Sequence, residues 1–233
     1  MPDEKGKKES NNGFSKKERD AVYRIIKARR DIRGNRFLSK PVTDETLARI
    51  LEAAHHAPSV GYMQPWNFII IKDLEVKEKV KKIFEKANEY SKSLFDEQKK
   101  ALYSSLRLEG IIEAPVNLCV TSDTTRGGDV VLGRTTIMET DAYSTVCAVQ
   151  NLWLAARAEG VGVGWVSILF QEKLKKVLQI PEKVIPVAYL CLGYVKDFPE
   201  KPELEEAGWG KRLSLQELCF QETWGKTWTG LKL

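Results

Sequence analysis

Four apolar runs rich in β-branched residues, each separated from the next by helical patterns, limit the folds open to this chain. They cover residues 67–72, 116–121, 163–169 and 185–195. Such runs are typical of buried strands, whereas the stretches between them repeat apolar residues at helical spacing. The pattern therefore predicts one α+β domain in which helices surround a small mixed β-sheet.

Capping residues mark several helix boundaries. A first helix is expected to begin near Ser15 and to end at a cluster of arginines. Thr43 has the features of an N-cap, since the acidic residues after it complement the helix dipole, and Pro58 is expected to stop this second helix. Further helices are predicted over 75–88, 91–108, 141–159 and 172–178.

The chain divides into three segments. Residues 1–14 are polar and charged and are predicted to form a flexible tail. Residues 15–225 contain no internal repeat and no low-complexity linker, so we expect them to form one folded domain. Residues 226–233 are a C-terminal extension of this domain.

Composition excludes several classes of function. With 42% hydrophobic residues among 233, the chain can bury a full core, and no apolar run approaches the roughly 18 residues of a membrane span. The net charge of +5 lacks the aromatic interleaving of a nucleic-acid surface. The four cysteines stand far apart without zinc-ligand spacing, so neither a metal site nor a disulfide framework is expected. The simplest expectation is a cytoplasmic protein with no membrane or nucleic-acid partner.

The first candidate site is a cluster of arginines around one carboxylate, namely Arg29, Arg30 and Arg33 with Asp31. Guanidinium groups present planar, paired donors to phosphate or carboxylate, and each charge-assisted contact contributes roughly 1.5–3 kcal/mol. The cluster could therefore hold a phosphate. It could equally complement the dipole at a helix C-terminus, with Asp31 organising the arginines through a salt bridge.

The glycine-rich run at 160–164 is similar to a dinucleotide-binding loop in composition only. A Rossmann loop follows a strand and opens a helix, whereas this run follows a helix and precedes a strand, and no P-loop motif occurs in the chain. We interpret the run as a helix stop and a crowded turn. The only histidines, His55 and His56, occupy adjacent helical positions that point apart, and we assign them to packing, capping or subunit contacts.

The connection at 57–66, APSVGYMQPW, joins a helix to a buried strand. Its two prolines, glycine and tryptophan suit a rigid loop that presents backbone donors to a flat ligand, although the same composition fits an ordinary structured turn.

Three blocks of sequence carry a family resemblance: the arginine cluster, the PSVGYMQPW loop, and the stretch from TDAYS through QNLWLAARAEG to GWVS at 140–167. Together they resemble the nitroreductase-like flavin fold, and within it the 5,6-dimethylbenzimidazole synthases. The likeness extends from the region of Arg19 to Gly225, including PELEEAGW at 202–209 and KRL at 211–213. It implies an FMN-binding, interlocked homodimer.

The resemblance assigns the arginines to the FMN phosphate and ribityl chain. Arg29, Arg30 and Arg33 match the motif that binds them, and Arg212 matches a distal basic residue that completes the site. Most members of the superfamily have a small hydroxyl residue where this chain has Asp31, whereas the synthases have an aspartate. Asp31 therefore selects the synthase subgroup.

The resemblance also assigns residues to the flavin ring. Trp165, Val166 and Ser167 match a strand segment that passes the ring, with Ser167 at a position associated with catalysis. The loop that lines the isoalloxazine across the dimer interface is matched by Pro58, Ser59, Tyr62 and Gln64.

The synthases consume reduced FMN, which they fragment with O2 to 5,6-dimethylbenzimidazole, the lower ligand of vitamin B12, and erythrose 4-phosphate. The resemblance thus implies an oxidoreductase of cobalamin biosynthesis, with reduced FMN as substrate and O2 as co-substrate. Asp31 is expected to accept or relay a proton at the ribityl C1′ carbon, and Ser167 to steer the flavin by a hydrogen bond. A separate flavin reductase could supply the reduced FMN.

Other functions remain open at this point. An NAD(P)H-dependent flavin or nitroaromatic reductase would recycle FMN, although hydride transfer through N5 needs no base beside the ribityl chain. A non-catalytic FMN carrier would need only the phosphate site. A deiodinase-like reductase would need a substrate-clamping lid, and this sequence shows no clear match to one. Residues 88–110 are a candidate lid over the flavin, or else a plain surface helix.

Overall fold

The computed structural model describes residues 13–230, which fold into helices packed on both faces of one sheet. The helices are α1 (Lys16–Ala28), α2 (Asp44–His55), α3 (Leu74–Ser93), α4 (Glu97–Ser105), α5 (Thr140–Ala158), α6 (Gln171–Leu178) and α7 (Glu203–Glu206). The strands are β1 (Trp66–Ile71), β2 (Val116–Asp123), β3 (Val161–Val166) and β4 (Val184–Tyr194). The predicted flexible tail lies outside the described residues except for its last two, as do residues 231–233 of the extension. No helix within 13–230 is long and apolar enough to cross a bilayer.

The sheet has the strand order β1-β2-β4-β3, and every neighbouring pair is antiparallel. The expected mixed sheet is corrected in this respect, because a continuous apolar run shows that a strand is buried but not which way it runs. In the part of the chain described, the one parallel pairing is the bridge between Asp31 and Val163. This bridge attaches the arginine cluster to the edge strand β3.

Side-chain caps explain where the first two helices begin. The Ser15 hydroxyl accepts a hydrogen bond from the Glu18 N–H at 3.3 Å, and the Glu18 carboxylate accepts one from the Ser15 N–H at 2.8 Å. Thr43 is confirmed as an N-cap, since its Oγ1 accepts from the Thr46 N–H at 3.2 Å. α1 ends at Ala28, so the arginine cluster starts directly at its C-terminus.

α5 is the central helix of the core. Its residues Ala148, Leu152 and Ala156 are fully buried with side chains of α2 against one face of the sheet. The other face is covered by α3 and α6, which bury Val80 and Leu174. Because both faces are covered, the strands read as continuous apolar runs rather than alternating ones.

The glycine-rich run has two structural roles. Gly160 has a φ of +73° directly after α5, which confirms the predicted helix stop. Gly162 and Gly164, however, lie inside β3 rather than in a turn. A Cβ on Gly164 would overlap the carbonyl oxygen of Ile32, so glycine is required for the segment after α1 to lie against β3.

β3 is shorter at its C-terminal end than the predicted strand at 163–169. It ends at Val166, and the chain then turns, with the Leu169 N–H donating to the Ser167 carbonyl at 3.0 Å. Ser167 therefore lies in the connection to α6 and is exposed.

Candidate functional site

A cavity of about 430 Å³ lies between the segment after α1, the end of α4 and the short helix α7. Its lining includes six arginines and three carboxylates, an excess of positive charge that suits an anion. These residues are Arg29, Arg30, Arg33, Arg36, Arg107 and Arg212 with Asp31, Glu203 and Glu206. The structure thus brings Asp31 together with all four of the arginines assigned to the phosphate site.

Two further arginines of this cavity were missed by the sequence analysis. Arg36 lies one turn beyond Arg33, and its Nε donates to the Glu203 Oε1 at 2.8 Å, which holds α7 against the cavity. The position of Arg36, close to the cluster in the sequence, could have identified it as a member of the site. Arg107 comes from the end of the candidate lid, 74 residues after Arg33, and no local pattern could have placed it here.

Asp31 is held on both sides of its carboxylate. Its Oδ1 accepts a hydrogen bond from the backbone N–H of Trp165 at 2.9 Å. Its Oδ2 accepts from Nε of Arg33 at 2.7 Å and is also paired with Nη2 of the same arginine. The backbone beside it is fixed as well, because the Ile32 N–H donates to the Val163 carbonyl at 3.0 Å. The carboxylate therefore has a defined orientation at the edge of β3.

Burial raises the pKa of Asp31 above its ordinary value, because removal from water disfavours the charged form. The Arg33 charge, the Trp165 N–H and the Arg29 charge oppose this effect but do not cancel it. A carboxylate with a raised pKa is a stronger proton acceptor than an ordinary aspartate. Asp31 thus combines a fixed position with the basicity that a general base requires.

Arg29 offers the cavity a guanidinium that, among the described residues, is supported by stacking alone. Its Cζ lies 4.8 Å from the ring centroid of Trp153, which supports the side chain by stacking. Burial lowers the pKa of Arg29, and the charges of Arg30 and Arg212 lower it further, while Asp31 raises it. Within residues 13–230 its nitrogens make no side-chain hydrogen bond, and so they are free to bind an anion.

Arg30 is bound mainly to backbone. Its Nη1 donates to the carbonyls of Lys27 and Arg29, at 2.7 Å each, and its Nη2 donates to the carbonyl of Glu200. Its Nε is buried and has no partner among the described residues. A buried donor without an acceptor is costly, so this atom is the part of Arg30 that fits a bound anion.

The loop at 58–64 lies beside a different cavity of the same chain, which Tyr62 and Gln64 line together with Trp66 and Phe68. The loop is strained, because Tyr62 and Gln64 have φ values of +55° and +49° without being glycine. The Ser59 hydroxyl stabilises it by accepting from the Gln64 N–H at 3.0 Å, and Pro58 is exposed. One chain alone therefore does not bring this loop to the arginine cavity.

The three candidate residues at the end of β3 differ in their surroundings. Trp165 is half-buried and packs on Trp153 with 6.3 Å between ring centroids, and its N–H holds Asp31. The side chain of Val166 belongs to the core, so only its backbone is available to a ligand. Ser167 is exposed and is not among the residues that line the arginine cavity.

The histidines have structural contacts, as interpreted from the sequence. Trp66 Nε1 donates to Nδ1 of His55 at 3.2 Å, and His56 lies 3.2 Å from a carboxylate oxygen of Glu52. Within residues 13–230, no group of three or more His, Cys, Asp or Glu side chains is arranged to hold a metal ion.

A model described as the nitroreductase family matches residues 26–194, which is most of the chain. The chain belongs to the nitroreductase family. A 5,6-dimethylbenzimidazole synthase of Rhodospirillum rubrum is 40% identical over 83% of this chain and 91% of its own. A second protein of that name, from Rhodobacter capsulatus, is 32% identical over 86% of this chain and 96% of its own.

Solved structures agree with the fold. Iodotyrosine deiodinase, in a crystal structure with FMN and 3-iodo-L-tyrosine, superimposes with a TM-score of 0.66 at 24% identity, covering 78% of this chain and 94% of that one. A nitroreductase family protein of Clostridium novyi gives a TM-score of 0.59 at 22% identity, with 91% and 99% covered. At these identities the likeness establishes the family fold alone.

Proposed function

We propose that this nitroreductase-family protein is a 5,6-dimethylbenzimidazole synthase, which fragments reduced FMN with O2 to 5,6-dimethylbenzimidazole and erythrose 4-phosphate. The observation that carries the proposal is the carboxylate of Asp31, fixed among the arginines of one cavity, in a chain 40% identical to a protein of that name. The enzyme would act in cobalamin biosynthesis, where this product is the lower ligand.

The cavity fits the phosphate of FMN. Arg29 offers a guanidinium with no hydrogen-bond acceptor in the described part of the chain, and Arg212 is close enough to influence its pKa. The buried Nε of Arg30 is a further donor without a partner there. Each charge-assisted contact to a phosphate contributes roughly 1.5–3 kcal/mol, so these groups can anchor the substrate.

Asp31 is the base in this proposal. Reduced FMN, when bound, supplies the reducing equivalents for O2 and the carbon framework of both products. Asp31 would take a proton at the ribityl C1′ carbon, a role that suits its raised pKa and its fixed orientation. Ser167, just beyond the Trp165 N–H that holds Asp31, would donate or accept a hydrogen bond at the flavin ring.

The ring end of the site would be completed by a second copy of the chain. Tyr62 and Gln64 line a cavity separate from that of Asp31, and Tyr62 is 84% exposed. Gly61 of the same loop packs against residues 131–132, and Leu132 is also 84% exposed. Exposed apolar residues on neighbouring segments are typical of an interface, and an interlocked homodimer would cover them.

The end of α4 and the helix α7 would form the cover of the cavity. Phe95 and Tyr103 pack edge to ring against Trp209, at 5.5 and 6.2 Å between centroids, which couples the 88–110 region to the segment after α7. Movement of this unit would open the cavity for the substrate and then exclude water from it.

The other functions explain less of the site. A reductase that recycles FMN has no use for a carboxylate of raised pKa beside the phosphate anchor. A flavin carrier would leave Asp31 without a role as well. The relatives from Rhodospirillum rubrum and Rhodobacter capsulatus also carry the name of the synthase rather than of a reductase.

The fate of FMN separates these functions. Purified protein is mixed with chemically reduced FMN without oxygen, air is admitted, and both FMN and dimethylbenzimidazole are measured by mass spectrometry. The proposal predicts loss of FMN matched by dimethylbenzimidazole and erythrose 4-phosphate. Full recovery of FMN, with sustained oxidation of NAD(P)H when NAD(P)H is added to a parallel sample, would establish a reductase instead. Recovery of bound FMN without NAD(P)H oxidation would indicate a carrier. Adding a flavin reductase with NADH then tests whether a partner enzyme can supply the substrate.

A further inference from the structure

Arg33 is bound to Asp31 and to backbone rather than free for an anion. Its Nε donates to Oδ2 of Asp31 at 2.7 Å, and its Nη2 is paired with the same oxygen. Its Nη1 donates to the carbonyl of Arg107 at 3.2 Å. All three nitrogens of this guanidinium are therefore engaged, and only 15% of the side chain is exposed.

Arg29 and Arg212 stand in contrast to it. The Arg29 guanidinium lies over the Trp153 ring with no hydrogen bond from its side chain within residues 13–230. Arg212 is exposed at the rim of the same cavity. These two groups can bind a phosphate with all their N–H donors, whereas Arg33 already directs three of its five N–H donors to Asp31 and Arg107.

The contacts of Asp31 show which of its oxygens remains available. An ionised carboxylate has about four acceptor positions, two on each oxygen. Two contacts from Arg33 occupy Oδ2, whereas Oδ1 receives the single N–H of Trp165. One acceptor position on Oδ1 is therefore open.

We infer that Arg33 is a positioning residue for Asp31: it occupies Oδ2 and leaves Oδ1 as the proton-accepting oxygen, while Arg29 and Arg212 hold the FMN phosphate. This inference deepens the proposed function and rests on it. It changes the role that the family resemblance gave to Arg33, from a phosphate ligand to a support of the base. Two nitrogens of one planar guanidinium that converge on a single carboxylate oxygen are a geometry that lysine cannot reproduce.

The charges around Asp31 predict what the loss of Arg33 does. The groups that act on its carboxylate are the Arg33 guanidinium, which has the largest effect, the backbone N–H of Trp165 and the Arg29 guanidinium. The buried Cys191 thiol on β4 faces it too, and the charge of Asp31 raises the pKa of that thiol. Without Arg33 the burial of Asp31 is less opposed, and the pKa of Asp31 rises further. Its Oδ2 also loses both donors, so the carboxylate can rotate away from the productive orientation.

The test compares Arg33→Gln and Arg33→Lys with Arg29→Gln, and with Arg24→Gln on the exposed surface of α1 as a control. The affinity for oxidised FMN is measured by fluorescence quenching, and the pH dependence of kcat is measured with reduced FMN and air. We expect Arg29→Gln to weaken FMN binding roughly 10- to 100-fold and to move the acid limb of the kcat profile less than Arg33→Gln does, since the Arg29 charge acts on Asp31 more weakly. Arg33→Gln is expected to weaken binding less than about threefold, to lower kcat by about 10²-fold, and to move the acid limb to higher pH.

The variant Arg33→Lys separates the positioning effect of Arg33 from the effect of its charge. It also keeps the inference testable if Arg33→Gln does not fold. It should keep the acid limb near the wild-type position, because the charge remains, yet recover only part of kcat, because the converging pair of nitrogens is lost. Loss of FMN affinity in both Arg33 variants to the level of Arg29→Gln, with an unchanged pH profile, would overturn the inference.

A readout without turnover keeps this inference distinct from the proposed function. The Asp31 carboxyl is titrated by ¹³C NMR in protein without flavin, with Asp31→Asn used for assignment. A higher Asp31 pKa in Arg33→Gln than in Arg29→Gln supports the positioning role even if no dimethylbenzimidazole forms, in which case only the proposed function fails. An equal or lower pKa would contradict it.

Discussion

At the scale of single residues, the proposed role of Asp31 as a base depends on the groups that set its pKa. Burial raises its pKa, and the nearby guanidinium of Arg33 and the N–H of Trp165 oppose the rise without reversing it. The folded protein thus holds the proton of Asp31 to a higher pH than the unfolded chain does. Because of this difference, the free energy of unfolding depends on pH, and the direction of that dependence can be predicted.

The variant Asp31→Asn tests the direction of this pH dependence. In the wild type, stability is lost as pH rises from the unfolded pKa, about 4, through the raised folded pKa, because ionisation is less favourable in the fold. The uncharged amide has no such loss. We therefore expect the melting temperature of Asp31→Asn, relative to wild type, to increase between about pH 4 and pH 7. Thermal unfolding followed by circular dichroism at several pH values measures it, and a relative decrease over this interval would show that the pKa is lowered instead.

The sequence predicted which residues meet at this site better than how they bind each other. The density of arginines at 29–33 and the resemblance carried by Asp31 were sufficient to place five residues in one cavity. The hydrogen bond from the backbone N–H of Trp165 could not be predicted, because almost every residue type has the same backbone donor and the strand lies far away in the sequence. The engagement of Arg33 depends likewise on rotamers that only packing determines.

At the scale of elements, the edge of β3 is what fixes the site. The bridge between Asp31 and Val163 joins the end of α1 to this strand, and Gly164 allows the close approach of Ile32. The sequence analysis placed a glycine-rich segment here but could not assign its partner, since the contact joins residues more than 130 positions apart in the sequence. The predicted helices and strands otherwise match those observed, except that the break predicted between the helices at 75–88 and 91–108 falls later, after Ser93, and that α7 was not predicted.

Gly164→Ala should therefore disrupt both stability and binding. The added methyl group would overlap the Ile32 carbonyl, and such overpacking typically costs about 1–3 kcal/mol. FMN affinity should fall as well, because the arginine segment is displaced. Gly210→Ala is the matched control, since a Cβ there meets nothing within 4 Å. Urea unfolding and flavin fluorescence measure the two effects, and equal behaviour of both variants would exclude the close contact.

The proposed cover over the cavity predicts a pattern of proteolysis. Bound FMN should protect the trypsin sites Lys99, Lys100 and Arg107, because the end of α4 borders the arginine cavity. Riboflavin, which lacks the phosphate, should protect them much less. Cleavage at identical rates with FMN, with riboflavin and without ligand would show that 88–110 is an ordinary surface helix region.

At the scale of the whole molecule, the two groups of candidate site residues do not meet within one chain. The arginine cavity and the loop with Tyr62 and Gln64 are separate in a single chain. The family resemblance predicted that two copies combine them, whereas no pattern of composition or spacing could indicate an interface. Exposed apolar residues near the loop are the structural support for a homodimer.

Mixed dimers test this arrangement. Asp31→Asn and the double variant Tyr62→Ala/Gln64→Ala should each be inactive, and co-refolding them should restore about a quarter of wild-type activity. Half of the dimers would then be mixed, each with one intact site formed from the unaltered parts of both chains. Sedimentation velocity verifies the dimer. A mixture as inactive as its parents would show that each site is built from a single chain.

The most direct test of the account is the yield of 5,6-dimethylbenzimidazole from chemically reduced FMN in air, compared between wild type and Asp31→Asn at matched FMN occupancy. The account predicts product from the wild type and a loss of about 10²-fold or more in the variant, with FMN still bound, since a general base commonly contributes 10²- to 10⁴-fold. Product formation by Asp31→Asn at the wild-type rate would contradict it.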